Sequence, residues 1–228
     1  MNKQKAVVQE MLPFTVELAA DTQALRAAVQ IRQMAYARHL PDVAKTMVDA
    51  ESWDFREGAV VLVAKSKLDG TPIGTMRIHT NEFAPLPLEQ SYELPEKLTR
   101  LRLAEATRLG VEADSTGPVV KTALFKAYYL YCMANNIDFM VITARRPLDR
   151  MYERLLFDDV VAGAGYIPMA HVGGIAHRVM QFDVKGAEAL WRANKHPLYS
   201  FVCDIMHPDI LVTPTASSPA VAPVSEPA

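Results

Sequence analysis

Residues 101–112 read Leu101-Arg-Leu-Ala-Glu-Ala-Thr-Arg-Leu-Gly-Val-Glu112, and the way this stretch folds decides the architecture. It begins by alternating, Leu101 and Leu103 against Arg102 and Ala104, which predicts a strand, although Ala, Glu and Leu also suit a helix. As a strand it carries Glu105 and Arg108 into a sheet. A charge there is costly unless it is paired or used, so two readings stand: a structural ion pair of Glu105 with Arg108 or Arg77, or a reactive carboxylate with its arginines. Residues three apart on a regular strand face opposite sides. Glu105 and Arg108 share a face only if a bulge lies between them, and bulges are frequent beside active sites.

On the C-terminal side, Pro118 suits a first helical turn, and the helix runs on through Val-Val-Lys-Thr-Ala-Leu-Phe-Lys-Ala-Tyr-Tyr-Leu-Tyr-Cys-Met-Ala to Asn135-Asn136. Residues 137–145 form an apolar run that predicts a buried strand. A short helix over 147–157, strands over 160–167 and 177–184, and closing helices over 186–194 and 196–206 follow. On the N-terminal side, residues 21–38 predict a helix capped by Asp21. Residues 58–66 and 73–80 predict a hairpin turned at Asp69-Gly70. Residues 40–57 and 81–99 read as irregular, the latter with room for a short helix. Two strand–helix–strand crossings in an otherwise antiparallel set predict an α/β (α+β) domain: one mixed, mostly antiparallel central sheet with helices on both faces.

The 228 residues allow one large domain. Prolines 214, 219, 223 and 227 mark residues 213–228 as a Pro/Ala/Ser-rich tail that cannot build a core, so the domain spans 1–212. With 24 basic and 26 acidic residues the net charge is −2, which argues against a dedicated nucleic-acid binder. Cys132 and Cys203 are too few for a disulfide framework. There is no apolar run of about 18 residues for a spanning helix and no secretory signal, so the expected compartment is the cytoplasm. The histidines and cysteines lack metal-ligand spacing, and no Gly-rich nucleotide loop or nucleophile elbow is present.

Several segments together resemble the GNAT-like acyltransferase fold, and within it the branch of N-acyl amino acid synthases and acyl-homoserine-lactone synthases. These are Arg32-Gln-Met-Ala-Tyr36, Glu51-Ser-Trp-Asp54, Gly74-Thr-Met-Arg77, Glu105-Ala-Thr-Arg108, Met151-Tyr-Glu-Arg154 through Phe157, His196-Pro-Leu-Tyr199 and His207-Pro-Asp-Ile210. The resemblance covers roughly residues 14–210. One departure is informative. Ordinary acetyltransferases of this fold hold the pyrophosphate of coenzyme A in a Gly-rich turn. Here the run Glu112-Ala-Asp-Ser-Thr-Gly117-Pro has one glycine, two acids and a proline without an N–H. A donor with only a phosphopantetheine arm, an acyl carrier protein, is therefore expected rather than free acyl-CoA, with no permanently bound cofactor.

The implied reaction is attack of a small-molecule amine, an amino acid, on a long-chain acyl thioester. Glu105 is the expected base, with Arg77 and Arg108 orienting it or binding the acceptor's carboxylate. The resemblance implies that Arg32 and Asp54 help close the acceptor pocket, and Tyr36 is a further substrate-binding candidate. Tyr128, Tyr131, Met140 and Ile142 are candidates for the acyl lining, against the plainer reading of ordinary core. Arg145, Arg146, Arg150 and Arg154 are candidates for docking the acidic carrier, the last three at i, i+4 spacing, against the plainer reading of a solvated basic face. The rival functions are a lactone synthase using S-adenosylmethionine and a non-enzymatic carrier- or lipid-binding module.

Overall fold

The computed structural model describes residues 8–113 and 116–213. Most of the expected tail, 214–228, lies outside the described residues, as do 114 and 115 of the run after the strand. In chain order the elements begin with β1 (Val8–Gln9), β2 (Phe14–Leu18), α1 (Thr22–Ala37) and α2 (Pro41–Ala44). A 3-10 turn at Ser52–Phe55 precedes β3 (Ala59–Ser66) and β4 (Pro72–Thr80), and another at Pro87–Gln90 precedes α3 (Glu96–Thr99). Then come β5 (Leu103–Val111), α4 (Gly117–Ala134), β6 (Phe139–Ala144), α5 (Asp149–Arg154), β7 (Asp158–Asp159) and β8 (Ile167–Met169). After a 3-10 turn at Ala170–Val172 the chain finishes with β9 (Ile175–Asp183), α6 (Ala187–Ala193), a π-helical turn at Ser200–Asp204, β10 (Ile205–Met206) and β11 (Ile210–Leu211).

The main sheet runs β11-β2-β3-β4-β5-β6-β9-β7, with β8 on β9. It is mixed and mostly antiparallel, with helices on both faces. Local chemistry explains its parts. Asp21 Oδ1 caps α1 by accepting from Ala24 N at 2.7 Å. The hairpin turns where Gly70 adopts φ +75°, and Asp69 accepts from Thr71 N. The helix α4 lies on one face of the sheet, burying Val120, Ala123, Leu124 and Ala127 with Ile78, Ala104, Ala106 and Met140. It crosses β4 so closely that a Cβ at Gly74 would stand 2.6 Å from Val120 Cγ1. The opposite face is covered by α1 through Leu25 and Ala28 against Val61 and Val63. Beside it the segment 86–103 packs Leu86, Leu88, Leu94 and Leu98 against Val141 and Val179.

Three expectations need correction. Only β5–α4–β6 is a parallel crossing within the predicted set; β6 and β9 are antiparallel, because the chain after α5 reverses through the 160–174 segment before rejoining the sheet. Residues 160–167 are largely turn, since Gly163 and Gly165 take positive φ and leave no extended run. Residues 196–206 form a short π-helical turn and β10 rather than a full helix. The strand β2, which lies between the edge strand β11 and β3, has too short an apolar run to stand out in the sequence, although Phe14 and Val16 are core residues. Among the described residues no helix is long and apolar enough to cross a membrane.

Candidate active site

The β4–β5 ladder carries a bulge, the condition under which Glu105 and Arg108 share a face. Thr75 opposes Gly110 and Arg77 opposes Thr107, so Arg108 and Leu109 together face the single residue Met76. Arg108 takes φ +55°, a left-handed conformation unusual for a non-glycine residue. The extra residue turns its side chain onto the α1 face, where Arg77 and Glu105 also lie.

Glu51 is the hub of what assembles there. Arg108 donates from Nε and Nη2 to the Glu51 carboxylate at 2.8 and 2.6 Å. Arg77 Nη1 donates to Glu51 at 3.0 Å and to Asp54 at 3.0 Å. Arg32 grips Asp54 through two bonds of 3.0 and 2.9 Å and reaches Glu51 at 3.2 Å. Arg77 Nε donates to Thr107 Oγ1 at 3.2 Å. Asp54 Oδ2 accepts from Glu51 N, closing the 3-10 turn that presents both acids. Burial alone would raise the Glu51 carboxyl, but the Arg108 hydrogen bond and charge, with Arg77 and Arg32, hold it down at about 2. Three guanidinium groups meet two carboxylates, a surplus of one positive charge. Arg108 Nη1 and Arg32 Nε are buried without hydrogen-bond partners among the described residues.

The β5–β6 ladder ends at Ala106–Ile142, and beyond it the two strands splay. A cavity of about 190 Å³ fills the gap, lined by Tyr36, Thr107, Arg108, Thr143, Arg145 and His171 among others. A second cavity of about 550 Å³ lies on the α4 side, walled by Met76, Phe125, Tyr128, Met151, Leu155 and Leu198, with Arg154 on its lining. Leu109, Lys121 and Tyr152 line both cavities, so a polar slot and an apolar chamber share one wall.

Glu105 is fully buried and lines neither cavity. Its Oε2 accepts from Leu88 N at 2.9 Å, and its Oε1 has no hydrogen-bond partner among the described residues. Burial raises its carboxyl to about 8. His79, opposite it on β4, is pushed down to about 3 by burial and the Arg77 charge.

Of the acyl-lining candidates, Tyr128 lines the apolar chamber, with its hydroxyl donating to the carbonyls of Ala104 and Val141. Tyr131, Met140 and Ile142 belong to the packed α4 core instead; Met140 and Ile142 lie where β5 and β6 are still paired, ahead of the splay. The arginines do not form the expected single face. Arg146 precedes α5, because a residue before proline is excluded from the helical region, and it packs on Tyr166, donating to its hydroxyl at 2.8 Å. Arg150 and Arg154 are exposed on α5, and Arg145 lines the polar slot. Cys132 is fully buried, and burial lifts its thiol well above the ordinary value, the opposite of the exposed, lowered thiol that nucleophilic catalysis uses.

Glu51 and Tyr152 lie in segments that carry the family resemblance but draw no role from the sequence, and His171 draws none either. A carboxylate facing three arginines from distant segments leaves no local signature. His171 sits in a Gly-rich stretch with no periodicity to single it out.

The model of the family described as N-acyl amino acid synthase FeeM matches residues 27–175. The chain belongs to that family. A search of curated proteins returns no match. Among solved structures, FeeM, an N-acyl amino acid synthase from uncultured soil microbes, superposes with TM-score 0.65 at 16% identity, covering 82% of this chain and 96% of its own. The CoA-dependent acyl-homoserine lactone synthase BjaI gives 0.53 at 14% identity, covering 85% and 93%. A putative N-acetyltransferase from Lactobacillus plantarum gives 0.53 at 16%, covering 76% and 99%. At these identities the structures establish the GNAT fold, and membership in the FeeM family makes the protein an acyltransferase.

Proposed function

We propose that this FeeM-family member moves a long-chain acyl group from the phosphopantetheine thioester of an acyl carrier protein to the amine of an amino acid, giving an N-acyl amino acid. The observation that carries this reading is the shared wall between the apolar chamber and the polar slot. The chamber, of a size that suits a mostly apolar ligand, takes the acyl chain. The slot takes the thioester and the amine. The surplus positive charge of the Arg32–Arg77–Arg108 cluster, with Arg108 on the slot's lining, suits an acceptor that carries a carboxylate.

The thioester is already activated, so direct attack by the amine suffices. The splayed β5 edge offers main-chain N–H groups for the developing oxyanion. The acceptor amine, mostly ammonium at neutral pH, must lose a proton, and Glu105, whose carboxyl burial raises to about 8, takes it in its ionised form. Lys121 and Arg145 at the slot and Arg150 and Arg154 on α5 give an acidic carrier a basic approach. The run 112–118 offers no Gly-rich pyrophosphate turn, which favours the carrier over coenzyme A.

The test offers the protein one long-chain acyl group on carrier protein or on coenzyme A, with a mixture of amino acids and S-adenosylmethionine, and reads products by mass spectrometry. An N-acyl amino acid formed faster from the carrier supports the reading. Faster turnover of acyl-CoA overturns the donor assignment. Acyl-homoserine lactone overturns the acceptor assignment, and no consumption of either thioester sinks the enzymatic proposal.

A further inference from the structure

The candidate base and the cavity where an amine would sit do not touch, and one side chain stands between them. His171 lines the polar slot. Its Nε2 lies 4.0 Å from the orphaned Oε1 of Glu105 and 3.3 Å from Thr143 Oγ1, and its Nδ1 is buried without a hydrogen-bond partner among the described residues. The backbone carbonyl of His171 accepts from Arg108 Nη2 at 3.1 Å, which ties the 170–172 turn to the bulge. We propose that His171 relays the proton between an amine in the slot and the buried Glu105 carboxylate. This rests on the acyl-transfer reading and adds to it the path the proton takes.

The 4.0 Å separation is about an ångström beyond hydrogen-bonding range, and catalytic hydrogen bonds of this kind tighten when substrate binds. Imidazole suits the task because it accepts a proton on one nitrogen while releasing one from the other. The charged and titratable groups around it are Glu105 and Arg108 on β5, Arg77 and His79 on β4, Glu51 before the 3-10 turn, and His177 on β9. Burial and the Arg108 charge lower His171 to about 4, so the ring rests neutral and passes protons on rather than storing them.

In the proposed step the amine lone pair attacks the thioester carbonyl carbon and the C–N bond forms. The nitrogen's proton goes to His171, which passes a proton to the Glu105 carboxylate. The C–S bond breaks, with its electron pair leaving on sulfur. The proton returns by the same path to the thiolate, so one amide and one thiol form, and Glu105 and His171 end as they began.

The test uses the full chain with acyl carrier thioester and the accepted amino acid. For His171→Asn the expected result is a fall in kcat of about 100-fold, with the KM for the thioester and the melting temperature unchanged. For His171→Ala, added imidazole should restore part of the lost turnover. Activity of His171→Asn within about twofold of the wild type overturns the relay while leaving the acyl-transfer reading intact. A lost kcat that comes with a lowered melting temperature, and that imidazole does not restore in His171→Ala, marks a structural role and also overturns it. Failure of the wild type to acylate any amine sinks the functional reading, and the relay with it.

Discussion

Arg108 reaches Glu51, 57 positions away in sequence, through two hydrogen bonds, and it does so from a left-handed backbone. Such a conformation in a non-glycine residue costs about 1–3 kcal/mol, which the two charge-assisted bonds offset. Lysine in place of Arg108, which lines the slot, keeps the charge but loses the fork. Arg108→Lys is expected to lower kcat/KM for the acceptor by about 10- to 100-fold while the KM for the acyl donor holds. Steady-state kinetics with each substrate varied in turn checks this; an unchanged acceptor term would place the acceptor elsewhere.

Glu51 compensates three guanidinium groups with only Asp54 to help. Glu51→Gln leaves the cluster with one carboxylate and a surplus of two charges, and is expected to cost about 3 kcal/mol, as for a broken buried pair. The wild type should show the same dependence in acid. The folded carboxyl is depressed to about 2 from an ordinary 4.5, so its contribution is full above pH 4.5 and is lost as pH falls through the folded value. Urea unfolding of both proteins at pH 6 and pH 3 tests this: the gap between them should narrow at the lower pH, and a gap independent of pH would show that Glu51 acts by shape rather than charge.

Glu105 has the opposite sign. Its folded carboxyl is raised to about 8, so between roughly pH 4.5 and 8 the folded state keeps a proton that the unfolded state has released, and stability falls as pH rises through that window. Glutamine carries no such penalty. Glu105→Gln is expected to be at least as stable as the wild type at pH 9, with less advantage at pH 6, and to lose about 100-fold or more in turnover. Loss of stability at pH 9, or full activity, would make Glu105 a structural residue.

The legible parts of this molecule were those with local signals. Alternation in 101–112 marked the strand, and the spacing of Glu105 and Arg108 put them on one face only if a bulge intervened; the structure has that bulge. Asp69-Gly70 and Pro118 marked a turn and a helix start that the structure contains. Illegible were features made by long-range encounters. Glu51 becomes the hub only when α1, β4 and β5 bring three arginines to it. The splay that opens the slot depends on where the β5–β6 ladder stops, which leaves no mark in either strand's sequence. The arginine spacing misled for a local reason that was present all along: Pro147 bars Arg146 from the helix that carries Arg150 and Arg154.

The apolar chamber gives the acyl chain a wall that can be moved without touching the slot. Leu155 lines the chamber but not the slot, and it is buried against the α4 core. Leu155→Trp fills part of the chamber, at about 1–3 kcal/mol for overpacking, and leaves Glu51, Glu105 and the arginines in place. In competition among acyl donors of graded length, the preferred chain should shorten, with the acceptor KM unchanged. A uniform loss across all lengths would mean that the acyl chain lies elsewhere and that the chamber is only a gap in the packing.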